Sequence, residues 1–485
     1  MKSHYDVIVV GTGFASSFFL WKYLQTAPAG ASVLVLERGV FRPHAERVTA
    51  RRNDNTISGI NWKESQEAYT NETPEKHWVF NPNFGGGSNC WTGCTPRFMP
   101  NDFRLQSAYG VGTDWPFGYD ELSAYYAEAE QLMNIAGPDG TPFPKDSPYP
   151  LPAHALSAAD RVLQQAYGTD YISQPTARAS QATKTRGGCC SSAVCSLCPV
   201  NAKFTIENGF SDLYKDDRIE IVYEAQAYAL HTNGSVAKSV MFRQGNEDKE
   251  IMAETIVLGA NALFNAHILL NSGDTLYHTG RGLSEQVGMY MMVYLDGLQN
   301  VGGGSIIPAN GYMLYDGEHR KNEAAILIES HNTPYIRSKP GKWRQIARFK
   351  FVMEDLPQDG NRVLATDDPL VPKTVFLEHS EYVSRTVPTL REKAERVFAP
   401  LPVERIDLDG YLQKSEYHIC STHRMSASPE NGVTDPELRH HRYRNVFVLG
   451  SGAFPTMSPA NPTLTLAALS LRAAERSFGK KTIRT

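Results

Sequence analysis

The chain has 485 residues, enough for two or three domain-sized units around a large core. Its formal net charge of -4 leaves no excess of positive charge that would hold nucleic acid. No uninterrupted apolar run reaches the roughly 18 residues of a membrane span, so direct membrane insertion is not expected.

The first patterned stretch is residues 5–39, which combine a strand, a tight turn, a helix and a second strand. Glycines at the turn let backbone N–H groups approach a pyrophosphate, and a carboxylate about 20 residues later can accept a hydrogen bond from a ribose hydroxyl. The third small position of the fingerprint is Ser16 rather than glycine. The unit predicts a dinucleotide site and leaves FAD and a nicotinamide dinucleotide equally open. Its expected binding residues are Gly11, Gly13, Phe14, Ala15, Glu37 and Arg38.

The same N-terminal stretch superficially resembles a secretory signal, because apolar residues are followed by the small residues 27–29. Two glycines interrupt the apolar core of such a signal, and cleavage would remove the first strand of the dinucleotide unit. We therefore expect the segment to stay in the fold. The expected location is cytoplasmic, or periplasmic only if a partner carries the export signal.

A glycine-rich loop at residues 85–87 runs directly into a mixture of large apolar and small polar residues. Without Cβ atoms such a loop can lie flat against a ligand, and the residues that follow are suited to the wall around a planar ring. A flexible turn is the alternative. The expected contacts are Gly86, Gly87, Asn89, Cys90, Trp91 and Thr92.

Residues 119–135 have the apolar spacing of an amphipathic helix, and residues 219–228 and 236–243 alternate as an antiparallel pair. A strand ending near Ala260, before a helix at 263–270, is expected to return to the first sheet beside the adenine end of the cofactor. Residues 285–415 have the aromatic and β-branched alternation of an antiparallel sheet, which predicts a second, substrate-holding domain.

Four thiols lie within ten residues of one another, at Cys189, Cys190, Cys195 and Cys198. This spacing resembles an iron–sulfur loop more than a structural zinc site, which usually has two separated pairs. Local disulfides and unligated thiols are the alternatives. With no distributed cysteine framework and no signal segment, the pattern favours a reducing compartment.

The C-terminal region combines a buried strand at 446–449, a run of small residues and a helix at 464–478. The helix start directs backbone N–H groups and a positive dipole end toward a cofactor, with Asn461 at its mouth. Expected cofactor contacts here are Gly450, Ser451, Ala453, Pro462 and Thr463.

Together these segments resemble the glucose-methanol-choline (GMC) flavin oxidoreductases. The resemblance is closest to pyranose oxidase and the flavin subunits of bacterial sugar and gluconate dehydrogenases. It is carried by residues 11–37, 85–98, 114–116, 257–270 and 423–465, and most specifically by the pairing of His423-Arg424 with residues 460–465. The resemblance implies an α/β, Rossmann-like FAD-binding domain with an inserted antiparallel substrate domain. The expected units are 1–284, which includes the cysteine-rich segment 186–199, then 285–415, and 416–485 returning to the FAD domain.

The resemblance also implies that the cofactor is FAD and that His423 and Asn461 face its N5 atom. An imidazole can accept the hydroxyl proton while an amide fixes the substrate oxygen. A structural role for His423 is the alternative. The implied activity is an FAD-dependent alcohol or sugar dehydrogenase, acting on a polyol, glycoside or sugar acid. The alternatives are an oxidase that releases hydrogen peroxide and a non-catalytic electron-transfer subunit.

Two positions depart from pyranose oxidase. Cys90 stands where that family member bonds its flavin covalently through histidine, so mostly non-covalent FAD is expected here, with a cysteinyl linkage as the alternative. The cysteine loop is absent from pyranose oxidase and similar to the iron–sulfur loop of the bacterial dehydrogenases. That likeness implies a 3Fe-4S or 4Fe-4S cluster, a cytochrome as electron acceptor and a small accessory subunit as partners.

Overall fold

The computed structural model describes residues 1–53, 62–333 and 335–479. Its strands are β1 (His4–Val10), β2 (Val33–Leu36), β3 (Thr70–Asn71), β4 (Ala136–Gly137), β5 (Leu151–Pro152), β6 (Tyr171–Ser173), β7 (Ile219–Val222), β8 (Ala225–Asn233), β9 (Val236–Gln244), β10 (Glu247–Leu258), β11 (Val287–Leu295), β12 (Ala309–Leu314), β13 (Ile326–His331), β14 (Ile346–Met353), β15 (Arg362–Leu364), β16 (Lys373–Val375), β17 (Val403–Leu408) and β18 (Val446–Val448). Its α-helices are α1 (Phe14–Leu24), α2 (His44–Asn53), α3 (Trp62–Glu67), α4 (Leu105–Tyr109), α5 (Asp120–Leu132), α6 (Ala158–Tyr167), α7 (Ile206–Gly209), α8 (Ala262–Asn271), α9 (Glu381–Thr386), α10 (Leu390–Phe398) and α11 (Thr463–Phe478).

The larger sheet has seven strands in the order β7-β2-β1-β10-β9-β8, with β18 paired to β10. Strands β7, β2, β1, β10 and β18 run parallel, whereas β8 and β9 add an antiparallel edge. The β-branched and leucine residues of β1 and β2 are buried on both faces, as expected of parallel strands covered by helices. The predicted βαβ unit is therefore confirmed.

Three predicted helices are also confirmed, at α5, α8 and α11. Helix α11 packs against α1 and α5 on one face of the sheet, so both ends of the chain share one core. The antiparallel pair is present as β8 and β9, but β7 separates from it at residues 223–224 and joins β2 in parallel. Alternation alone favoured one longer hairpin that included β7. The strand differs because it pairs with the outer edge of β2 and covers that edge.

The second sheet has six antiparallel strands in the order β17-β11-β14-β13-β12-β6. It packs helices α6 and α10 against its apolar face. Most of it comes from the predicted region 285–415, but β6 lies far upstream and pairs with β12. Strand β16 forms a separate small sheet with β15 and β3. Within the described ranges, no helix is long and apolar enough to span a bilayer.

Candidate active site

A cavity of about 530 Å³ lies between the two sheets. It is lined by stretches from both ends of the chain: the β1–α1 turn, the glycine-rich loop, the β10–α8 turn and the start of α11. Its far wall is the polar face of the second sheet, formed by Tyr290, Glu329, His331, Arg348 and Lys350. A ligand filling this space would contact the dinucleotide unit and the substrate sheet at once.

Glycines bring the β1–α1 turn into direct contact with the β10–α8 turn and with the glycine-rich loop. Gly11 has φ +86°, and a Cβ there would lie 2.7 Å from the carbonyl oxygen of Gly259. Gly86 has φ +51°, and its Cβ would lie 3.2 Å from the Cα of Gly13. Side chains at these positions would strain the backbone and push the loops apart. The loops therefore leave main-chain N–H groups close to the cavity, as a pyrophosphate requires.

Ser16, which replaces the third glycine of the fingerprint, is accommodated because Gly259 lies opposite it. Its Oγ lies 3.4 Å from the carbonyl oxygen of Val10 and donates to it. A Cβ on Gly259 would lie 2.0 Å from that Oγ. The space that the third glycine usually provides is thus supplied by the strand rather than the helix.

The ends of β2 provide the polar contacts expected of a dinucleotide site. Glu37 is buried, and its Oε2 accepts hydrogen bonds from the Thr12 N–H at 3.2 Å and the Thr12 hydroxyl at 2.6 Å. The Arg38 guanidinium lies 4.6 Å from the ring centre of Phe264, and its buried Nη1 has no hydrogen-bond partner among the described residues. An unpaired buried donor is costly, so an anionic or hydroxyl-bearing ligand fits here. These residues fit the ADP half of FAD.

Sixteen of the predicted cofactor contacts line this cavity. They are Gly11, Gly13, Phe14, Ala15, Glu37, Arg38, Gly86, Gly87, Cys90, Trp91, Thr92, Ala260, Gly450, Ser451, Pro462 and Thr463.

Two others lie behind the wall. Asn89 Nδ2 donates to the carbonyl oxygen of Phe84 at 2.8 Å, which shapes the glycine-rich loop. Ala453 is fully buried, and its carbonyl oxygen accepts from the Met425 N–H at 2.8 Å. Both residues support the site and do not line it.

The predicted base His423 does not line the cavity either. It is 0% exposed, and its ring packs so closely on Gly452 that a Cβ there would lie 2.0 Å from the ring Cε1. Backbone pairing forces this orientation, because the His423 N–H donates to the Gly452 carbonyl oxygen at 2.9 Å. Burial lowers the pKa of His423 to about 3. The prediction that His423 faces substrate is therefore corrected to a core position.

A different histidine, His418, lines the cavity together with Asn461. Its ring Nδ1 lies 2.5 Å from Gln286 Oε1, and its backbone N–H donates to Glu285 Oε2 at 3.2 Å. Burial lowers the pKa of His418 to about 4, so the ring is neutral at pH 7. The preceding residue, Tyr417, has φ +64°, a strained conformation of the kind that is often retained at functional sites.

Asn461 is the one predicted catalytic residue that the structure brings into the cavity. Its Nδ2 lies 3.4 Å from Glu329 Oε1, and its buried Oδ1 has no hydrogen-bond partner within the described ranges. Burial works against the charge of Glu329, but His331 and Lys350 lower the pKa of that carboxyl to about 2. Glu329 is therefore an anion beside an amide that still has hydrogen-bonding capacity.

The second sheet contributes a polar wall that the sequence analysis missed. On β13 and β14, Glu329 faces Lys350 and His331 faces Arg348 in register. The Lys350 ammonium pairs with Glu416, whose buried Oε1 has no hydrogen-bond partner in the part of the chain that the structure describes. Gly288 makes room for that pair, since a Cβ there would lie 2.0 Å from the carboxylate. Charged residues at alternate positions of otherwise apolar strands were the available signal.

The cysteine loop borders the same cavity through Ser196. Cys195 and Cys198 are buried, Cys189 is half-buried and Cys190 is exposed, and none forms a disulfide. Lys203 holds the loop against the cofactor wall, because its Nζ donates to the carbonyl oxygens of Trp91 at 2.8 Å and Ser196 at 2.9 Å. In the described part of the chain, no three potential ligands are close enough to hold a metal. The residues as placed do not form an iron–sulfur site.

Residues 368–470, which include His418 and Asn461, match the family model described as GMC oxidoreductase. The chain is 27% identical to the fructose dehydrogenase large subunit of Gluconobacter japonicus, over 97% of each chain. It is 26% identical to paromamine 6'-oxidase of Streptomyces fradiae, over 98% of this chain and 91% of the relative. The structure of pyridoxine 4-oxidase from Mesorbium loti superposes with a TM-score of 0.69 at 17% identity, covering 97% of this chain and 99% of that one.

The family match falls on the segment that carries the cavity's histidine and amide, and the full-length likenesses extend over both sheets. The dinucleotide unit and the cavity fit FAD. Residues 368–470 thus carry a GMC oxidoreductase domain, and the chain is an FAD-dependent enzyme acting on CH–OH groups of alcohols or sugars.

Proposed function

We propose that this enzyme is a dehydrogenase for a sugar or polyol, with His418 as the general base. The observation that carries the proposal is the convergence of His418 and Asn461 on one wall of the cavity. The low pKa of His418 keeps its imidazole neutral at pH 7, and a neutral imidazole can accept a proton from a substrate hydroxyl. Bound FAD supplies the hydride acceptor for the adjacent C–H group.

The chain's own residues would act on the substrate oxygen and on the neighbouring hydroxyls. His418 Nε2 removes the hydroxyl proton, and Asn461 fixes the same oxygen by a hydrogen bond. Glu416 Oε1 and Asn461 Oδ1 are buried acceptors without partners, which a single-hydroxyl alcohol would leave partly unpaired. A polyhydroxylated substrate satisfies more of them, which favours a sugar over a simple alcohol.

Replacement of the two histidines tests the assignment of the base. We expect His418→Ala to slow anaerobic flavin reduction by sugars about 10²- to 10⁴-fold, since proton transfer contributes that much. His423→Ala is the matched control and should retain the rate per bound flavin, because His423 does not line the cavity. A His418→Ala enzyme that reduces its flavin at the original rate would exclude this function.

The electron acceptor is a separate part of the proposal. The relative in Gluconobacter is named as a dehydrogenase subunit, whereas the Streptomyces relative is named as an oxidase. The cysteine loop borders the cofactor wall, which supports electron transfer to a partner protein, and iron in the purified protein would show that its thiols bind a cluster in another arrangement. The experiment compares reoxidation of reduced flavin by air and by an artificial acceptor, and measures iron in anaerobically purified protein. Fast reoxidation by air, with hydrogen peroxide released, would instead support the oxidase.

A further inference from the structure

Gln286 links the cavity's histidine to the turn that carries Asn461. It is 1% exposed and immediately precedes β11. Its Nε2 donates to the carbonyl oxygens of Ser458 at 2.6 Å and Ala460 at 2.7 Å. Its Oε1 lies 2.5 Å from His418 Nδ1. One amide therefore spans both halves of the catalytic pair.

The two carbonyl oxygens determine which way this amide must face. A carbonyl oxygen can only accept a hydrogen bond, so both must be met by the two N–H donors of the Gln286 amide. A flipped amide would place its oxygen against two other oxygens. The oxygen of Gln286 must then face His418, and it can only accept. The proton between them consequently belongs to His418 Nδ1.

We propose that Gln286 is a positioning residue that holds neutral His418 in its Nδ1–H tautomer, with the Nε2 lone pair free to act as the base. A neutral imidazole has one donor and one acceptor nitrogen, so fixing the proton on Nδ1 determines the role of Nε2. The inference rests on the proposed function, because it concerns how His418 does its work. The same amide sets the distance between His418 and Asn461 through the carbonyl oxygen of Ala460.

The neighbouring residue strengthens the arrangement. Glu285 is 1% exposed, and its Oε2 accepts from the N–H groups of Glu416 at 3.1 Å and His418 at 3.2 Å. Its other oxygen pairs with Lys76. Glu285 thus holds the backbone of the histidine segment while Gln286 holds the ring.

The charged groups facing His418 also allow the role to be measured. They are Glu285, Glu329 and Lys350, and each carboxylate has a basic or amide neighbour: Lys76 beside Glu285, and Asn461, His331 and Lys350 beside Glu329. Gln286 is the group in direct hydrogen-bond contact with the ring, and it is uncharged. The role can therefore be tested at residue 286 itself, by removing the acceptor or by exchanging the amide for another acceptor.

Two substitutions separate positioning from simple structural support. Gln286→Leu removes the acceptor and should lower the rate of flavin reduction about 10- to 100-fold, as loss of an orienting hydrogen-bond partner commonly does. Gln286→Glu keeps an oxygen that accepts from His418 Nδ1–H. Its second oxygen faces the carbonyl oxygens of Ser458 and Ala460, so the carboxyl holds a proton, stays uncharged and donates to one of them. This variant should therefore reduce its flavin about tenfold faster than Gln286→Leu.

Gln345→Leu is the matched control, since Gln345 is also buried and its Oε1 accepts from the Gly297 N–H at 3.0 Å, away from His418. Flavin content and circular dichroism would be measured for each variant. The inference is overturned if Gln286→Glu is as slow as Gln286→Leu, or if Gln286→Leu loses no more activity than Gln345→Leu. If His418→Ala keeps full activity, the proposed function fails instead, whatever the Gln286 variants do.

Discussion

His418 and His423 lie five residues apart and have opposite environments. His423 belongs to the most specific sequence signal, yet its backbone pairs with Gly452 and its ring is 0% exposed. His418 lies beside a strained residue and faces the cavity. Residue type and spacing favoured a histidine in this segment, but only the backbone pairing decides which of the two enters the site.

The burial of His423 predicts a pH dependence of stability. Its pKa is lowered by burial to about 3, whereas an unfolded histidine titrates near 6.5. Between these values the unfolded chain binds a proton that the folded protein does not, so this group makes stability fall as the pH falls below 6.5. The contribution is about 1.4 kcal/mol per pH unit, or about 2 kcal/mol at pH 5.

Denaturant unfolding of the wild type and of His423→Asn between pH 7.5 and pH 5 would measure this contribution. The variant is expected to lose less stability on acidification than the wild type. Equal losses in the two proteins would mean that His423 binds its proton equally well when folded and unfolded.

At the scale of elements, the dinucleotide unit was predictable because its strand, turn and helix follow one another directly. The compensation between Ser16 and Gly259 was not predictable, since the two residues meet only after β1 and β10 pair. The same limit explains why β6 was missed. Its three residues pair with β12, which lies more than 130 residues later in the chain, and so short a segment carries no local pattern for that pairing.

The contact between Ser16 and Gly259 leads to a prediction about paired substitutions. Gly259→Ala should destabilise the protein by about 1 to 3 kcal/mol, because its Cβ would lie 2.0 Å from the Ser16 Oγ. Adding Ser16→Gly should recover part of that loss, with FAD affinity and the melting temperature as readouts. Ser16→Gly alone is the control and should cost about 0.5 to 1 kcal/mol. Strictly additive effects of the two substitutions would rule out the compensation.

At the scale of the whole molecule, the sequence indicated which segments surround the cofactor but not the substrate wall. The cofactor loops carry glycines and small residues whose chemistry is recognisable one segment at a time. The wall consists of Glu329, His331, Arg348 and Lys350, which share a surface only through the register of β13 and β14. Specificity in this fold therefore depends on strand pairing, which no local motif specifies.

The position of the cavity predicts that FAD stabilises the entire chain. Residues 10–15, 449–451 and 461–463 line it, so bound FAD joins the first and last segments of the fold. FAD added back to the apoprotein at 100 times its Kd should restore about 2.7 kcal/mol and raise the melting temperature.

Burial raises the pKa of the Cys90 thiol, which keeps it protonated and poorly nucleophilic, so acid precipitation should release the flavin into the supernatant. Flavin that stays in the acid pellet would reveal a covalent bond, and Cys90→Ser would then show whether Cys90 forms it.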